Sequence, residues 1–506
     1  MNEADIVKRI LQANVYDVAV ETPLEQMPNL SAILGNRILL KREDLQAVFS
    51  FKLRGAYNKI QRLSPQERNK GVLAASAGNH AQGVALAAKR LGIKSVIVMP
   101  TTTPDIKVES VRAFGSDAIL HGDTYDEAYA HARKLEQESG MTFIHPYDDL
   151  DVIAGQGTIA IELCRQQYQG KMDAVFVPVG GGGLLAGVLS YLKYVSPETK
   201  VIGVEPDDAP CLYQALKAGH RVELDHVGIF ADGVAVRQIG KHPYDLVRDL
   251  VDDVILASSD EICAAVKDIF EDCRAITEPA GALAIAGMKK YVEQEGIRDC
   301  SLIAIASGAN MNFDRLRYVS ERAELGERRE AVIAVTIPEH PGSFLSFCNA
   351  LGNRNITEFN YRYSDDRHAH VFVGVQLRGG EVEKNELIDT LRLKSYEVVD
   401  MTENETAKLH VRYMVGGHAH SVVDECVYRF EFPERPGALL RFLTKMGQNW
   451  NISMFHYRNH GAAYGRVLVG IQVPRGDEKR FQGFLEELGY SFWNESNNPA
   501  YTLFLS

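Results

Sequence analysis

Residues 174–192 read AVFVPVGGGGLLAGVLSYL. The apolar run Ala174–Val179 reads as a strand, and Leu185, Val188, Leu189 and Leu192 then recur at helical spacing. Between them Gly180, Gly181, Gly182 and Gly183 let backbone amides wrap closely round a phosphate at the helix N-terminus. No Lys-Ser/Thr pair follows the last glycine, so this is not a P-loop nucleotide site. The segment does contain Gly181-x-Gly183-x-x-Ala186, with Glu205 at the end of the next strand, and so mimics a dinucleotide fingerprint. An NAD-dependent dehydrogenase with a C-terminal oligomerisation module is therefore the alternative reading.

Outward from this stretch the same alternation continues. Short β-branched runs at 37–41, 71–75, 95–99, 118–121, 201–205 and 301–306 are mostly followed by amphipathic segments such as Ala81–Leu91. The pattern predicts an α/β fold, a mostly parallel, doubly wound catalytic domain over residues 1–316. Residues 317–330, RYVSERAELGERRE, read as a charged linker helix. Beyond it the chain repeats itself. Pro338-Glu339-x-Pro341-Gly342, Ile356, Phe359, Tyr361-Arg362 and Val371-x-Val373-Gly374 return as Pro433-Glu434-x-Pro436-Gly437, Ile452, Phe455, Tyr457-Arg458 and Val467-x-Val469-Gly470. Each unit has the ferredoxin-like order βαββαβ, the first over 331–415 and the second over 416–506.

Composition narrows the partners. The 506 residues are 45% hydrophobic and 24% charged, which is globular, and a net charge of −12 argues against nucleic acid or an anionic membrane. No apolar run is long enough to span a bilayer and MNEADIVKRI has no secretory h-region, so a cytoplasmic location is expected. Seven scattered cysteines, none in a CxxC pair, suggest reduced thiols and no metal site.

Three further segments carry chemistry. In Ser50-Phe51-Lys52-Leu53-Arg54-Gly55-Ala56, Ser50 is a candidate N-cap, and Leu53, Ala56, Tyr57 and Ile60 mark a helix with Lys52 in its first turn. The partly positive helix end lowers the amine's pKa, as a Schiff-base lysine requires. Ser76-Ala77-Gly78-Asn79-His80 turns from strand to helix and offers free N–H groups to a carboxylate. Ser307-Gly308-Ala309-Asn310 sits at the carboxyl edge of a strand, where parallel sheets line their ligand crevice. Glu278-Pro279-Ala280-Gly281 reads only as a helix start.

Together the four segments resemble the fold-type II pyridoxal-phosphate enzymes, and among these the threonine/serine dehydratases. The doubled C-terminal unit resembles the ACT-like regulatory region of biosynthetic threonine deaminases. The resemblance implies that Lys52 holds pyridoxal 5'-phosphate and acts as the base at Cα. It also implies that Phe51 packs on the cofactor ring and Asn79 binds its phenolic oxygen. Gly180, Gly181, Gly182, Gly183 and Leu184 cradle the phosphate, Ser307 meets the pyridine nitrogen, and Ser76, Gly78, Asn79 and His80 receive the substrate carboxylate. A neutral hydroxyl at the ring nitrogen, in place of a carboxylate, favours prompt loss of a β-hydroxyl over a long-lived carbanion. The implied reaction takes L-threonine to 2-oxobutanoate and ammonia, with serine a weaker substrate, as the first step of isoleucine synthesis. Isoleucine and valine are the implied effectors, with Arg354, Tyr361 and Tyr457 as candidate allosteric residues beside Arg362 and Arg458, and a homotetramer is the implied assembly.

Overall fold

The structure is a computed structural model. It describes residues 3–498 and 501, apart from 123, 168–169, 229, 314, 363–366, 405–406, 409–410, 414–421, 434–437, 448 and 459–463. The chain divides into two units, Met1–Gly326 and Glu327–Ser506. Among the described residues no helix is long and apolar enough to cross a membrane.

The first unit holds two sheets. The larger runs in the order Leu24–Gln26, Arg37–Arg42, Ser301–Ala306, Ala174–Pro178, Lys200–Pro206, Asp253–Ala257, parallel throughout except for its first strand. Its central strands are largely apolar on both faces because both are covered. Leu302, Ala304 and Ala306 face a core shared with the helices Ser259–Cys273 and Pro279–Glu295, while Ile303 and Ile305 face one shared with Leu150–Gln166 and Gly183–Val195. The smaller sheet, all parallel, orders Asp117–Leu120, Ser95–Met99, Val72–Ala75 and Thr142–Phe143. Thr142–Phe143 and Asp253–Ala257 are strands the periodicity did not reveal.

The helix expected as a linker spans Arg315–Gly326 and packs within the first unit along Ser259–Cys273. Val319 and Ala323 enter its core, and Arg322 pairs with Asp260. A second departure concerns Ser50. The helix Lys52–Gln61 starts at an uncapped Phe51, and the Ser50 hydroxyl is buried without a hydrogen-bond partner. That helix is anchored instead through Arg54, which is fully buried and pairs with both Glu43 and Glu162.

In the second unit each repeat forms the expected βαββαβ order, Glu330–Pro338 to Glu397–Asp400 and Glu425–Pro433 to Ser491–Asn494. The two join edge to edge through the antiparallel strands Ile356–Arg362 and Asn451–Arg458, giving one eight-stranded sheet. One core serves both halves, with Phe344, Phe359 and Phe455 in mutual ring contact. Each repeat carries a register shift at the same place, between Ile356 and Glu358 and between Ile452 and Met454. The second Pro-Gly turn, with Glu434, Pro436 and Gly437, and the side chains of Arg362 and Arg458 lie outside the described residues.

Candidate active site

The loop before Lys52 is pinned to the segment after Ser301–Ala306. Phe51 N–H donates to the Ser307 carbonyl (3.2 Å), Ala309 N–H donates to the Phe49 carbonyl (2.8 Å), and Ser50 bridges Gly308. Phe49 takes a left-handed φ of 53° to make this turn. The fixed loop delivers Lys52 into a cavity that Phe51, Asn79, Gly180, Gly181, Gly182, Gly183, Leu184, Glu278 and Ser307 also line. Lys52 Nζ lies 5.1 Å from the Phe51 ring centroid and 3.4 Å from the Pro146 carbonyl. Burial pulls its amine down to about 8, with the Glu278 carboxylate opposing. An amine so placed is neutral often enough near neutral pH to attack an aldehyde.

The glycine turn has no room for side chains. Gly182 caps the helix Gly183–Val195 with φ 86°, and a Cβ on Gly181 would stand 2.2 Å from the Tyr147 ring. Backbone amides at this helix end, approached by no side chain of their own, form a cradle for an anion. Ser307 is buried and its hydroxyl donates to the Ala280 carbonyl (3.1 Å) at the edge of the cavity. Asn79 heads the helix Asn79–Leu91; its Nδ2 donates to Glu278 (2.5 Å) and its Oδ1 accepts from Asn310 Nδ2 (2.6 Å). The Ser76 hydroxyl accepts from Gly78 N–H (3.2 Å) and shapes the turn whose first helical amides have no intrahelical acceptor. The His80 ring lies against the Ile144 carbonyl (2.8 Å) and is held neutral, its pKa pulled down to about 3 by burial. What His80 presents at the turn is thus its backbone.

Sequence reasoning missed several lining residues, Tyr147 and Glu278 among them. Tyr147 had no motif to announce it, whereas Glu278 stood in a segment read only as a helix start. Burial raises the Glu278 carboxyl to about 7, with nearby Asp232 adding to the rise. Glu205, the acidic residue of the dinucleotide-like pattern, is fully buried and accepts the amides of Leu212 (2.7 Å) and Tyr213 (2.9 Å). It caps a helix and has no face open to a ribose, which removes the dehydrogenase reading. Among the described residues no group of three or more His, Cys, Asp or Glu is placed to hold a metal ion.

In the second unit a cavity sits at the first Pro-Gly turn. There Glu339 accepts from the Tyr361 hydroxyl (2.6 Å) and from Asn451 Nδ2 (3.1 Å), beside Ile337, Phe344, Leu443, Met446 and Ile452. Arg354 is engaged elsewhere, with Glu383 (2.9 Å) and the Leu351 carbonyl (2.9 Å), and Tyr457 stands opposite Phe359 on the paired strand.

An anion cradle, a buried low-pKa lysine and a neutral hydroxyl in one crevice are the parts a pyridoxal-phosphate site needs. Residues 15–308 match the family of pyridoxal-phosphate dependent enzymes, so the chain's cofactor is pyridoxal phosphate and its catalytic unit has the fold-type II architecture. Residues 321–411 and 416–505 each match the C-terminal regulatory domain of threonine dehydratase. The chain is 55% identical to L-threonine dehydratase biosynthetic IlvA of Burkholderia multivorans, over 100% of both chains. It is also 55% identical to that of Escherichia coli, over 99% of this chain and 97% of the relative. The solved processed form of threonine deaminase isoform 2 from Solanum lycopersicum is 51% identical, with a TM-score of 0.62 over 63% of this chain and 93% of that one. A solved threonine deaminase from T.th. is 38% identical, with a TM-score of 0.57 over 61% of this chain and 98% of that one. The chain belongs to the biosynthetic threonine dehydratases, lyases that carry a regulatory C-terminal region.

Proposed function

We propose that the chain converts L-threonine to 2-oxobutanoate and ammonia, the entry step of isoleucine synthesis, with serine a slower substrate and the cytoplasm the site of action. The observation that carries the reading is the cavity uniting Phe51, Lys52, Asn79, Gly180–Gly183, Leu184 and Ser307. Bound there, pyridoxal phosphate supplies an electron sink that makes Cα–H and Cβ–O bonds of an amino acid labile. The chain's own groups do the rest. Amides of Gly180–Gly183 would hold the phosphate, Phe51 would support the ring face, and Asn79 Nδ2 would donate to the phenolic oxygen. The turn Ser76–His80 receives the substrate carboxylate on its backbone amides. Lys52 would tether the cofactor and would be the base for the Cα proton. Ser307 would meet the ring nitrogen with a neutral hydroxyl, which would favour elimination.

The second unit reads as an amino-acid sensor for isoleucine, with valine opposing, in a homotetramer. A carboxylate, Glu339, beside apolar walls from both repeats suits the ammonium and side chain of a branched amino acid. A coupled 2-oxo-acid assay with threonine and with serine, each with and without isoleucine, tests both parts. Failure to release 2-oxobutanoate from threonine overturns the first, and an isoleucine-insensitive full chain overturns the second.

A further inference from the structure

We propose that Glu278 is a positioning residue for the cofactor. Its carboxylate accepts a hydrogen bond from one Nδ2–H of Asn79 and so commits the other N–H to the phenolic oxygen of pyridoxal phosphate. The inference rests on the reading of Asn79 given above.

Glu278 occupies the N-cap position of the helix Pro279–Glu295, a position where shorter polar side chains turn back onto the helix amides. It makes no such cap, and its carboxylate is instead directed across the cavity to Asn79. The orientation of the Asn79 amide is then forced. The Val48 carbonyl can only accept, so Asn310 presents Nδ2 to it (2.8 Å) and the same Nδ2 to Asn79 Oδ1, leaving Asn79 Nδ2 toward Glu278. With Oδ1 and one N–H both held, a single N–H of Asn79 remains to be aimed. Gly308 admits this arrangement, because a Cβ there would stand 2.5 Å from Glu278 Oε1 and 3.1 Å from Asn79 Nδ2. The charged groups facing Glu278 are Asp232, Lys107 and Lys52, from three separate elements, and the Asn310 backbone N–H also reaches its carboxyl.

The test titrates apoenzyme with pyridoxal phosphate and follows visible absorbance in Glu278→Ala, Glu278→Gln, Asn79→Ala and the double alanine variant. Glu278→Leu, closer in volume, replaces Glu278→Ala should that variant not fold by circular dichroism. Glu278→Ala is expected to weaken cofactor binding about tenfold. It should also shift the pH dependence of the bound cofactor's absorbance in the same direction as Asn79→Ala. Adding it to Asn79→Ala should cost less than about twofold more, because the two act as one unit. Glu278→Gln, whose amide oxygen still accepts, should restore binding to within about threefold of the parent. Losses that multiply in the double variant, or a glutamine variant as weak as the alanine one, overturn the positioning role while the Asn79 reading stands. An Asn79→Ala variant with unchanged affinity and spectrum overturns the Asn79 reading, and this inference with it.

Discussion

Arg54 and Glu162 meet in a wholly buried double contact, Nη1 to Oε1 at 2.6 Å and Nη2 to Oε2 at 3.0 Å, two positions along the helix from Lys52. Glu162 also holds Lys41 Nζ (2.6 Å) and accepts from the Tyr16 hydroxyl (2.9 Å), so one carboxylate serves two buried cations. Removing a single partner leaves charge buried and unpaired, which costs far more than the pair's net worth. Glu162→Ala should lower stability by about 3–5 kcal/mol. Urea unfolding checks this, and a loss below about 1 kcal/mol would show that water or another group compensates.

Lys52→Ala should leave the fold intact and lower turnover by at least about 10²–10⁴-fold, since both the cofactor tether and the base are lost. Borohydride reduction of the parent followed by peptide mapping should place the pyridoxyl label on Lys52. A label on another lysine would sink the assignment.

The depressed Lys52 amine also sets a pH dependence. Only the neutral amine attacks an aldehyde, so cofactor uptake by apoenzyme should rise with pH and level off above about 8; an unperturbed lysine would keep rising well beyond that. For stability the sign is fixed by proton counts. The folded value lies below the unfolded 10.5, so the unfolded chain binds more protons between about 8 and 10.5. Apoenzyme stability contributed by this group therefore increases with pH across that window. Stopped-flow uptake at several pH values reads the first effect.

What the sequence made legible follows from how local each feature is. The strands at Val72–Ala75, Ala174–Pro178 and Ser301–Ala306 are apolar because both faces are covered, and that leaves a mark in the chain itself. Thr142–Phe143 is two residues long and exists only by pairing with Val72 and Leu73. Lys52, Gly180–Gly183 and Ser307 sit at strand-to-helix turns or strand ends, which short motifs mark. Glu278 reaches Asn79 across 199 positions of sequence, and Tyr147 meets Gly181 only through the tertiary fold. Ser50 has the chemistry of an N-cap, but the bridge to Gly308 buries it before it can serve. The repeat was visible, yet its joining into one sheet depends on the edge pairing of Tyr361 with Phe455, which no periodicity encodes.

Ser307→Asp should divert the reaction. A carboxylate facing the ring nitrogen raises that nitrogen's proton affinity and lets carbanionic species persist, so side reactions compete with loss of the β-hydroxyl. A long-wavelength absorbing species with threonine, together with about a tenfold lower rate of 2-oxobutanoate release, is the expected result. Unchanged elimination with no new absorbance would mean that Ser307 does not meet the ring nitrogen.

Isoleucine should act through the second unit and not by competing at Lys52. The first unit ends at Gly326 and contains every residue lining the Lys52 cavity, and the T.th. threonine deaminase matches only 61% of this chain while being covered over 98% of its own length. Residues 1–326 should therefore fold and turn over threonine alone, which circular dichroism and the 2-oxo-acid assay check. For isoleucine to inhibit the full chain it must bind better to the less active state, and by linkage that state binds threonine less well. A coupling of about 1–3 kcal/mol would give sigmoidal threonine dependence in the full chain, and truncation should make it hyperbolic and insensitive to isoleucine. Glu339→Gln keeps the shape of the Pro-Gly turn but removes the charge that would face an ammonium group, so it should weaken isoleucine inhibition about tenfold or more while leaving uninhibited turnover unchanged. Arg354→Ala, by contrast, breaks a pair with Glu383 away from this cavity and should change inhibition less than Glu339→Gln does. Should isoleucine inhibit the truncated chain as strongly as the intact one, the sensor reading fails and assembly becomes the better account of the repeat.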